Sequence, residues 1–214
     1  NKIANAIKNI NGVKLLNVDP GKATNRTVVT FAGSPEDVIE AAFEAIKKAS
    51  ELIDMSHHKG EHPRMGATDV CPLIPIAGIS MEETAEYAKK LAARVGKELN
   101  IPVYLYEAAQ SNKERNNLSV IRAGEYEGFF KKIKLPEWKP DFGPAEHSVK
   151  SGSTVIGARD FLVAYNVNLN TTSTRRANAI AFDVREGGRV KREGNPVTGK
   201  IVTDEKGNPV HIPC

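Results

Sequence analysis

The chain has 214 residues, a net charge of +4 at pH 7 and a hydrophobic content of 40%. This length suits one large domain or two small ones, and the apolar content excludes a mostly disordered chain. The mild basic excess is spread along the sequence, so we expect no nucleic-acid partner. Two cysteines, no recognisable signal peptide and no long apolar run predict a cytoplasmic protein without a membrane partner.

Turn residues and apolar periodicity organise the first part of the chain. A helical pattern at the start precedes two strand-like runs, residues 13–19 and 26–33, with a break predicted at Pro20-Gly21. Ser34 is a predicted N-cap, and Pro35 occupies the first helical position, where its missing N–H costs nothing. The apolar spacing then continues this helix to about residue 55.

Further elements follow the histidine-rich loop at residues 57–66. Residues 69–76 are predicted to form an edge strand, since Pro72 and Pro75 interrupt pairing. Ser80 and Glu83 have the spacing of a capping box that opens a helix to about residue 99. The remaining predictions are a strand at 101–106, a broken helix at 118–133, a loop at 134–153, a strand at 161–169 and a helix at 171–186.

This order of elements mixes hairpin and crossover connections, which predicts an α+β fold with a mixed β-sheet and helices packed on one face. A ferredoxin-like two-layer sandwich is the expected form. We expect residues 1–169 to form one subdomain, and residues 170–214 a linker helix and the beginning of another. Strand alternation leaves the opposite face polar, which suits either a binding surface or a solvated face. Its predicted members are Asn17, Asp19, Arg26, Thr30, Asn166 and Asn168.

The loop HHKGEHPRMG contains His58, Glu61 and His62 at the spacing of an inverted zinc-peptidase motif. Such a site needs a helix, because only helical spacing places both imidazoles on one side. Gly60 lies inside the motif, and Pro63 pushes His62 out of the helical region. A zinc hydrolase is therefore the least favoured of the functions considered, and no metal is expected.

A loop can instead carry one imidazole as a general acid or base, because an unperturbed imidazole titrates at about pH 6.5. Arg64 offers a fixed fork for a carboxylate, and Lys59 and Arg122 are further cations for the same task. A solvated surface loop is the alternative for the histidine cluster taken alone.

Longer motifs resemble one enzyme family. They are LLNVDPGKATNRTVVTFAG, LIDMSHHKGEHPRMGATDVCPLIPI, IPVYLYEAA, IRAGEYEGF, PDFGP and GARDFLVAYNVNLN. In this order they resemble the formiminotransferase family over nearly the whole chain. The resemblance implies transfer of the formimino group from N-formimino-L-glutamate to N5 of tetrahydrofolate, a co-substrate, in histidine degradation. It implies no metal.

The resemblance also assigns roles to individual residues. His62, in EHPR, is the implied general base, Asp19 its implied partner, and Arg64 an implied active-site arginine. The segment after DFGP is the implied folate-binding loop, together with two asparagines that could serve the pterin. Its residues are Gly143, Pro144, Ala145, Glu146, His147, Ser148, Val149, Lys150, Ser151 and Gly152, and the asparagines are Asn166 and Asn168.

Family members are expected to be homodimers with two subdomains facing each other across a substrate tunnel, which the polar sheet face would line. The sequence lacks the family's opening strand and stops near the start of the second subdomain, so we expect weak or no activity from this chain alone. Two further alternatives stay open. One is a non-catalytic folate-binding fragment, and the other is transfer of formyl instead of formimino.

Overall fold

The computed structural model describes residues 2–163, 167–185, 188–195 and 199–212, which divide into two compact units, Asn1–Leu162 and Val163–Cys214. No helix in these ranges is both long and apolar enough to cross a membrane. The first unit contains α1 (Lys2–Lys8), β1 (Val13–Gly21), β2 (Arg26–Gly33), α2 (Pro35–Leu52), β3 (Val70–Leu73), α3 (Met81–Glu98), β4 (Val103–Glu107), α4 (Leu118–Arg122), α5 (Glu125–Lys132) and β5 (Thr154–Ala158). The second contains α6 (Thr174–Val184), β6 (Arg189–Val190), β7 (Arg192–Glu193), β8 (Lys200–Ile201) and β9 (His211–Ile212).

Both predicted helix caps are confirmed. Ser34 Oγ accepts a hydrogen bond from the Asp37 amide, and Pro35 begins α2. At α3, Ser80 Oγ accepts from the Glu83 amide at 3.1 Å, while the Glu83 carboxylate accepts from the Ser80 amide at 2.8 Å. These reciprocal bonds satisfy amides that a helix start leaves without partners.

Strands β1 and β2 form an antiparallel hairpin that carries the predicted polar face. Asn17 lies opposite Thr30, Asp19 opposite Val28, and Gly21 opposite Arg26. Residues directly opposite in such a pair point to the same face. The hairpin therefore presents four of the predicted polar side chains together on one face; these are Asn17, Asp19, Arg26 and Thr30.

The predicted strand break at Pro20-Gly21 is wrong, because β1 continues through Pro20, opposite Thr27, to Gly21. Within the described residues β1 pairs only with β2. Its other edge therefore needs no N–H donor, and an edge strand tolerates proline for that reason.

A parallel sheet in the order β3-β5-β4 lies at the centre of the first unit. β3 is an edge strand of this sheet, as its prolines predicted. The central strand β5 was not predicted from the sequence, although all five of its residues are buried. It is short, and it contains Gly157, where a Cβ atom would lie 2.4 Å from the Tyr106 ring. This close contact explains why glycine occupies position 157, although glycine inside a strand weakens the sequence pattern that predicts one.

Buried side chains cover both faces of the parallel sheet. One cluster joins α2 and α3 to Val103, Leu105 and Ile156. The other packs helices α4 and α5 against alternating residues of the same strands, and comprises Met65, Tyr104, Tyr106, Ile121, Phe129 and Val155. The predicted α+β class is confirmed. Within the described residues the antiparallel and parallel pairings occupy separate sheets, and α4 and α5 add a helical layer on the second face.

The strand predicted at residues 161–169 is wrong for the part that the structure describes. Residues 161–163 and 167–169 have no strand assignment, and residues 164–166 lie outside the described ranges. Phe161, Leu162 and Val163 are 67%, 72% and 88% exposed. A strand is stable only when a neighbouring strand accepts its hydrogen bonds, and these residues pair with none. The last predicted helix is confirmed as α6, with shorter bounds than expected.

Candidate functional site

The histidine loop, residues 57–66, is irregular and lies against the turn that joins β1 to β2. Asn25 Nδ2 donates to the Lys59 carbonyl at 2.7 Å, and His58 Nε2 lies 2.7 Å from the Asn25 carbonyl. A Cβ atom on Gly60 would lie 2.3 Å from the Thr24 carbonyl oxygen, so glycine permits this approach. The loop and the end of the hairpin are therefore held together through their backbones.

His62 is half-buried beside Arg26, the first residue of β2. Its Nδ1 lies 2.7 Å from the Pro63 carbonyl, which can only accept, so Nδ1 carries the ring proton. Arg26 Nη1 lies 2.5 Å from Nε2 and 2.9 Å from Nδ1. An atom this close to both ring nitrogens lies over the face of the ring, so the Nε2 lone pair is not bonded to Arg26, and Nε2 is the ring nitrogen that could act as a base.

The zinc alternative requires imidazole nitrogens that this arrangement already uses. His58 Nε2 and His62 Nδ1 each donate to a backbone carbonyl. In the described ranges no group of three His, Cys, Asp or Glu side chains is placed to hold a metal ion. Burial also raises the pKa of the Cys71 thiol to about 12, so this side chain stays protonated and is a poor nucleophile.

Asp19 lies on the same hairpin face as Arg26, two residue pairs along the strands. Diagonal neighbours in such a hairpin have Cβ atoms roughly 7–8 Å apart or slightly less. In the part of the chain that the structure describes, Asp19 makes no hydrogen bond or ion pair with His62. The residue that touches the ring of His62 is Arg26, and the pairing of Asp19 with His62 stays a prediction.

Arg64 is buried, and its guanidinium is occupied within the protein. Nη1 and Nη2 donate to Glu127 at 3.1 and 2.7 Å, and Nη1 also donates to Glu125 at 3.1 Å. The hydrogen bond from Arg64 holds the pKa of Glu127 at about 2. Arg64 also donates to the His58 carbonyl, so it ties the histidine loop to the beginning of α5. Arg64 thus connects two segments of the first unit, and its role as an active-site arginine stays a prediction.

The other predicted carboxylate-binding cations are also paired. Arg122 Nη2 donates to Asp69 at 2.6 Å, and both side chains are only 12% exposed. Burial raises the pKa of Asp69, and the charge of Arg122 opposes this shift. Lys59 is 80% exposed and 3.6 Å from Glu127. The sequence did not predict that Arg26 contacts His62; its place on the polar face was the available signal.

The segment predicted to bind folate, residues 143–152, lies directly against the histidine loop. The Ala67 amide donates to the Ser151 carbonyl at 2.8 Å, and the Ser153 amide donates to the Met65 carbonyl at 3.0 Å. His147, Ser151 and Gly152 are buried. Exposed members that could reach a ligand are Gly143, Ala145, Glu146, Val149 and Lys150. Asn168 is exposed in the second unit, and Asn166 lies outside the described residues.

His147 is enclosed by three aromatic rings, Tyr126, Phe129 and Phe130, with centroids at 5.1, 5.5 and 4.7 Å. Its Nδ1 lies 2.8 Å from Ser153 Oγ, and its buried Nε2 has no hydrogen-bond partner among the described atoms. Burial lowers the pKa of His147 to about 4. The side chain is therefore a neutral packing element of this segment.

This burial makes the stability of the chain sensitive to acid. In the unfolded state His147 takes a proton at about pH 6.5, but in the fold only at about pH 4, so the free energy of unfolding falls between these values. We expect a contribution of about 2 kcal/mol to be lost between pH 7 and pH 5. Urea unfolding at both pH values measures it. His147→Phe should reduce the loss, and His57→Phe, at an exposed histidine, should not; equal losses in all three proteins would contradict the assignment.

Arg26, His62 and Asp69 line part of a groove of about 1420 Å³ in the first unit. This volume exceeds the roughly 300–1,000 Å³ typical of small-molecule sites. The hairpin face, with Thr30, and the start of the segment after the loop, with Thr68, contribute polar atoms to its lining. The candidate base therefore opens onto space that can hold a substrate.

Comparison with known proteins gives these features a family. A family model described as "Formiminotransferase domain, N-terminal subdomain" matches residues 1–159, and one described as "Formiminotransferase domain" matches residues 164–207. The chain belongs to the formiminotransferase family. The resemblance of the motifs is thereby confirmed, and the histidine loop, the hairpin face and the segment 143–152 all lie in the N-terminal match.

Several curated members of the formiminotransferase family are similar to this chain. Mouse formimidoyltransferase-cyclodeaminase is 54% identical over 189 residues, covering 88% of this chain and 35% of the mouse protein. Glutamate formimidoyltransferases of Thermoplasma acidophilum and Streptococcus pyogenes are 46% and 45% identical, covering 86% and 85% of this chain and 61% and 60% of those proteins. The chain thus spans about a third to three fifths of the length of these relatives.

Proposed function

We propose that the chain carries the general base of a glutamate formimidoyltransferase, with His62 in that role. The supporting observation is the geometry of His62. Its Nδ1 proton is fixed on the Pro63 carbonyl, which leaves Nε2 as the unprotonated ring nitrogen, and the side chain lines a groove. Relatives at 45–46% identity bear the name glutamate formimidoyltransferase. The substrates are N-formimino-L-glutamate and, as the second substrate, tetrahydrofolate.

The proposed reaction needs one base that moves one proton. His62 Nε2 takes the proton from N5 of the folate as the bond from N5 to the formimino carbon forms. It then gives this proton to the nitrogen of glutamate as the bond between that nitrogen and the formimino carbon breaks. The products are L-glutamate and 5-formiminotetrahydrofolate. Such a base contributes about 10²–10⁴-fold to the rate.

Other residues take supporting roles in this proposal. Asp19 lies near Arg26 on the hairpin face. Its negative charge would stabilise the His62 imidazole when that ring becomes protonated. Gly143, Ala145, Glu146 and Val149 are exposed beside the histidine loop and offer backbone and side-chain groups to the folate. The polar hairpin face is proposed as one wall of the substrate tunnel. Participation in histidine degradation, the cytoplasmic location and a homodimer are further proposals.

The test is donor-dependent formation of 5-formiminotetrahydrofolate. It is measured for the 214-residue chain and for a version extended by the remaining sequence of the Thermoplasma relative. We expect turnover in the extended protein and much less in the chain alone, because the chain covers 61% of that relative. Folate binding without turnover in either protein would overturn the proposal and favour a folate-binding fragment. Turnover of N-formyl-L-glutamate in preference to the formimino donor would favour formyl transfer.

A further inference from the structure

Asp69 provides the only carboxylate among the described residues that line the groove. His58 and His62 contribute two imidazoles to the same lining. The remaining charged side chains of the lining are cations, and they are Lys2, Lys22, Arg26, Arg64 and Arg159. Charges on a ligand and on its site are usually complementary. A lining with several cations and one anion therefore suits a ligand that carries carboxylates and one positive group.

The carboxylate of Asp69 is fixed in the groove wall and keeps acceptor positions for a ligand. The Met65 amide donates to Oδ1 at 3.0 Å, and Arg122 Nη2 donates to Oδ2 at 2.6 Å. A carboxylate has about four acceptor positions, so these two bonds leave about two. Burial raises the pKa of Asp69 although Arg122 lies beside it. One arginine thus does not offset the cost of burying this anion, and a cation bound from the groove would reduce that cost.

Met65 connects the position of Asp69 to that of the candidate base. It follows His62 by three residues, which span at most about 11 Å even when fully extended. Because Asp69 Oδ1 is 3.0 Å from the Met65 amide, it lies within about 14 Å of the His62 Cα atom. The His62 side chain and one small ligand can together span this distance. A single substrate in the groove can therefore reach both side chains.

A formimino group differs from a formyl group in charge and in hydrogen bonding. It has an N–H where formyl has an oxygen, and as part of an amidine it is protonated and positively charged at neutral pH. An amidinium donates hydrogen bonds in the same way as the guanidinium of arginine, for which carboxylates are the strongest partners. A formyl oxygen can only accept. Beside a carboxylate it would have no donor and would be repelled.

We propose that Asp69 binds the formimino group of the donor and makes the site select formimino over formyl. The remaining acceptor positions of its carboxylate take N–H groups of the amidinium, and the cations of the lining suit the two carboxylates of the glutamate moiety. Asp69 is thus a residue that determines specificity. This inference rests on the proposed function for the identity of the donor, and it decides between the two donors that the sequence leaves open.

The test compares kcat/KM for N-formimino-L-glutamate and N-formyl-L-glutamate in the extended protein. Wild type should favour the formimino donor by about 10⁴-fold, as do sites that bond an N–H which the competing substrate lacks. In Asp69→Asn this ratio should fall by about 10- to 100-fold, the loss expected for a hydrogen bond to a charged group. Asparagine has no negative charge for the amidinium, and its amide can donate to a formyl oxygen. An unchanged ratio would overturn the proposal.

Asp141→Asn is the matched control for the loss of a buried carboxylate. Asp141 accepts from the Leu105 amide at 2.8 Å and forms an ion pair with Arg115, as Asp69 does with Met65 and Arg122. The side chains of Asp141 and Asp69 are 15% and 12% exposed, but Asp141 is not among the residues that line the groove. Damage to the fold alone lowers kcat/KM for both donors in proportion, so this variant should keep the wild-type ratio.

Binding separates the specificity of Asp69 from the transferase activity and needs no variant. Calorimetric titration of the wild-type extended protein should give a Kd for the formimino donor about 10- to 100-fold below that for the formyl donor. Equal Kd values would overturn the role of Asp69, even if Asp69→Asn does not fold. A preference in binding without turnover would support Asp69 and overturn the transferase. Turnover of the formimino donor with the same ratio in wild type and in Asp69→Asn would overturn Asp69 alone.

Discussion

Replacing His62 with asparagine is expected to lower kcat by about 10²–10⁴-fold, the usual contribution of a positioned general base. Asparagine retains an N–H donor close to the position of Nδ1, so the bond to the Pro63 carbonyl can persist. It has no basic nitrogen at the position of Nε2. The variant should therefore fold and bind the donor, but fail in the proton transfer. Steady-state kinetics on the extended protein measures kcat and KM separately.

His57→Asn is the matched control, because His57 is an exposed histidine of the same loop. Its kcat should stay at the wild-type value, and circular dichroism should show both variants folded. A His62→Asn protein that keeps wild-type kcat would remove His62 from the role of base. If the activity of His57→Asn falls as far, the loop as a whole, and not one imidazole, would be the essential feature.

Elements whose signal is local were predictable from the sequence. The caps of α2 and α3 need only a serine followed by suitable neighbours within three residues, and their hydrogen bonds form inside that window. Pro63 likewise predicted that the histidine loop is not helical, since it restricts the residue immediately before it. Proline and alternation together predicted β3 and the polar hairpin face.

Elements that depend on distant neighbours were not predictable in the same way. β5 is buried by both β3 and β4, and its five residues carry no alternation that marks a strand. Residues 161–163 are apolar and of types common in strands, but strand formation needs a partner that composition does not supply. The continuation of β1 through Pro20 could not be predicted for the same reason. Whether a strand can contain a proline depends on which of its edges is paired, and the local sequence does not show this.

The same distinction between local and distant determinants applies to the candidate site. The motif around His62 indicated the base, but the environment of each arginine is decided by residues far away in sequence. Arg64 is paired with Glu125 and Glu127, about 60 positions later, and Arg26 meets His62 at a separation of 36. Closeness to the motif in sequence therefore did not show which cation contacts His62.

Gly152→Ala is expected to destabilise the chain by about 3–5 kcal/mol. Gly152 has φ of +69°, and a Cβ atom there would lie 2.2 Å from the Met65 carbonyl oxygen and 2.6 Å from Gly66 Cα. Both are backbone atoms, so no side-chain rotation relieves the contact. The Met65 carbonyl also accepts from the Ser153 amide, and displacing it would break that bond. Urea unfolding followed by fluorescence of Trp138, which packs against the second core cluster, measures the loss.

Gly78→Ala separates the two causes of this loss. Gly78 has φ of +70°, but no described atom lies within 4 Å of the position that an alanine methyl group would take, so only the backbone conformation is penalised. Its expected cost is about 1–2 kcal/mol. The difference between the variants then measures the close approach of the segment 143–152 to the histidine loop. Equal costs would mean that the two segments do not pack this tightly. A larger cost at Gly152, with a parallel fall in kcat, would show that this packing holds His62 in its catalytic position.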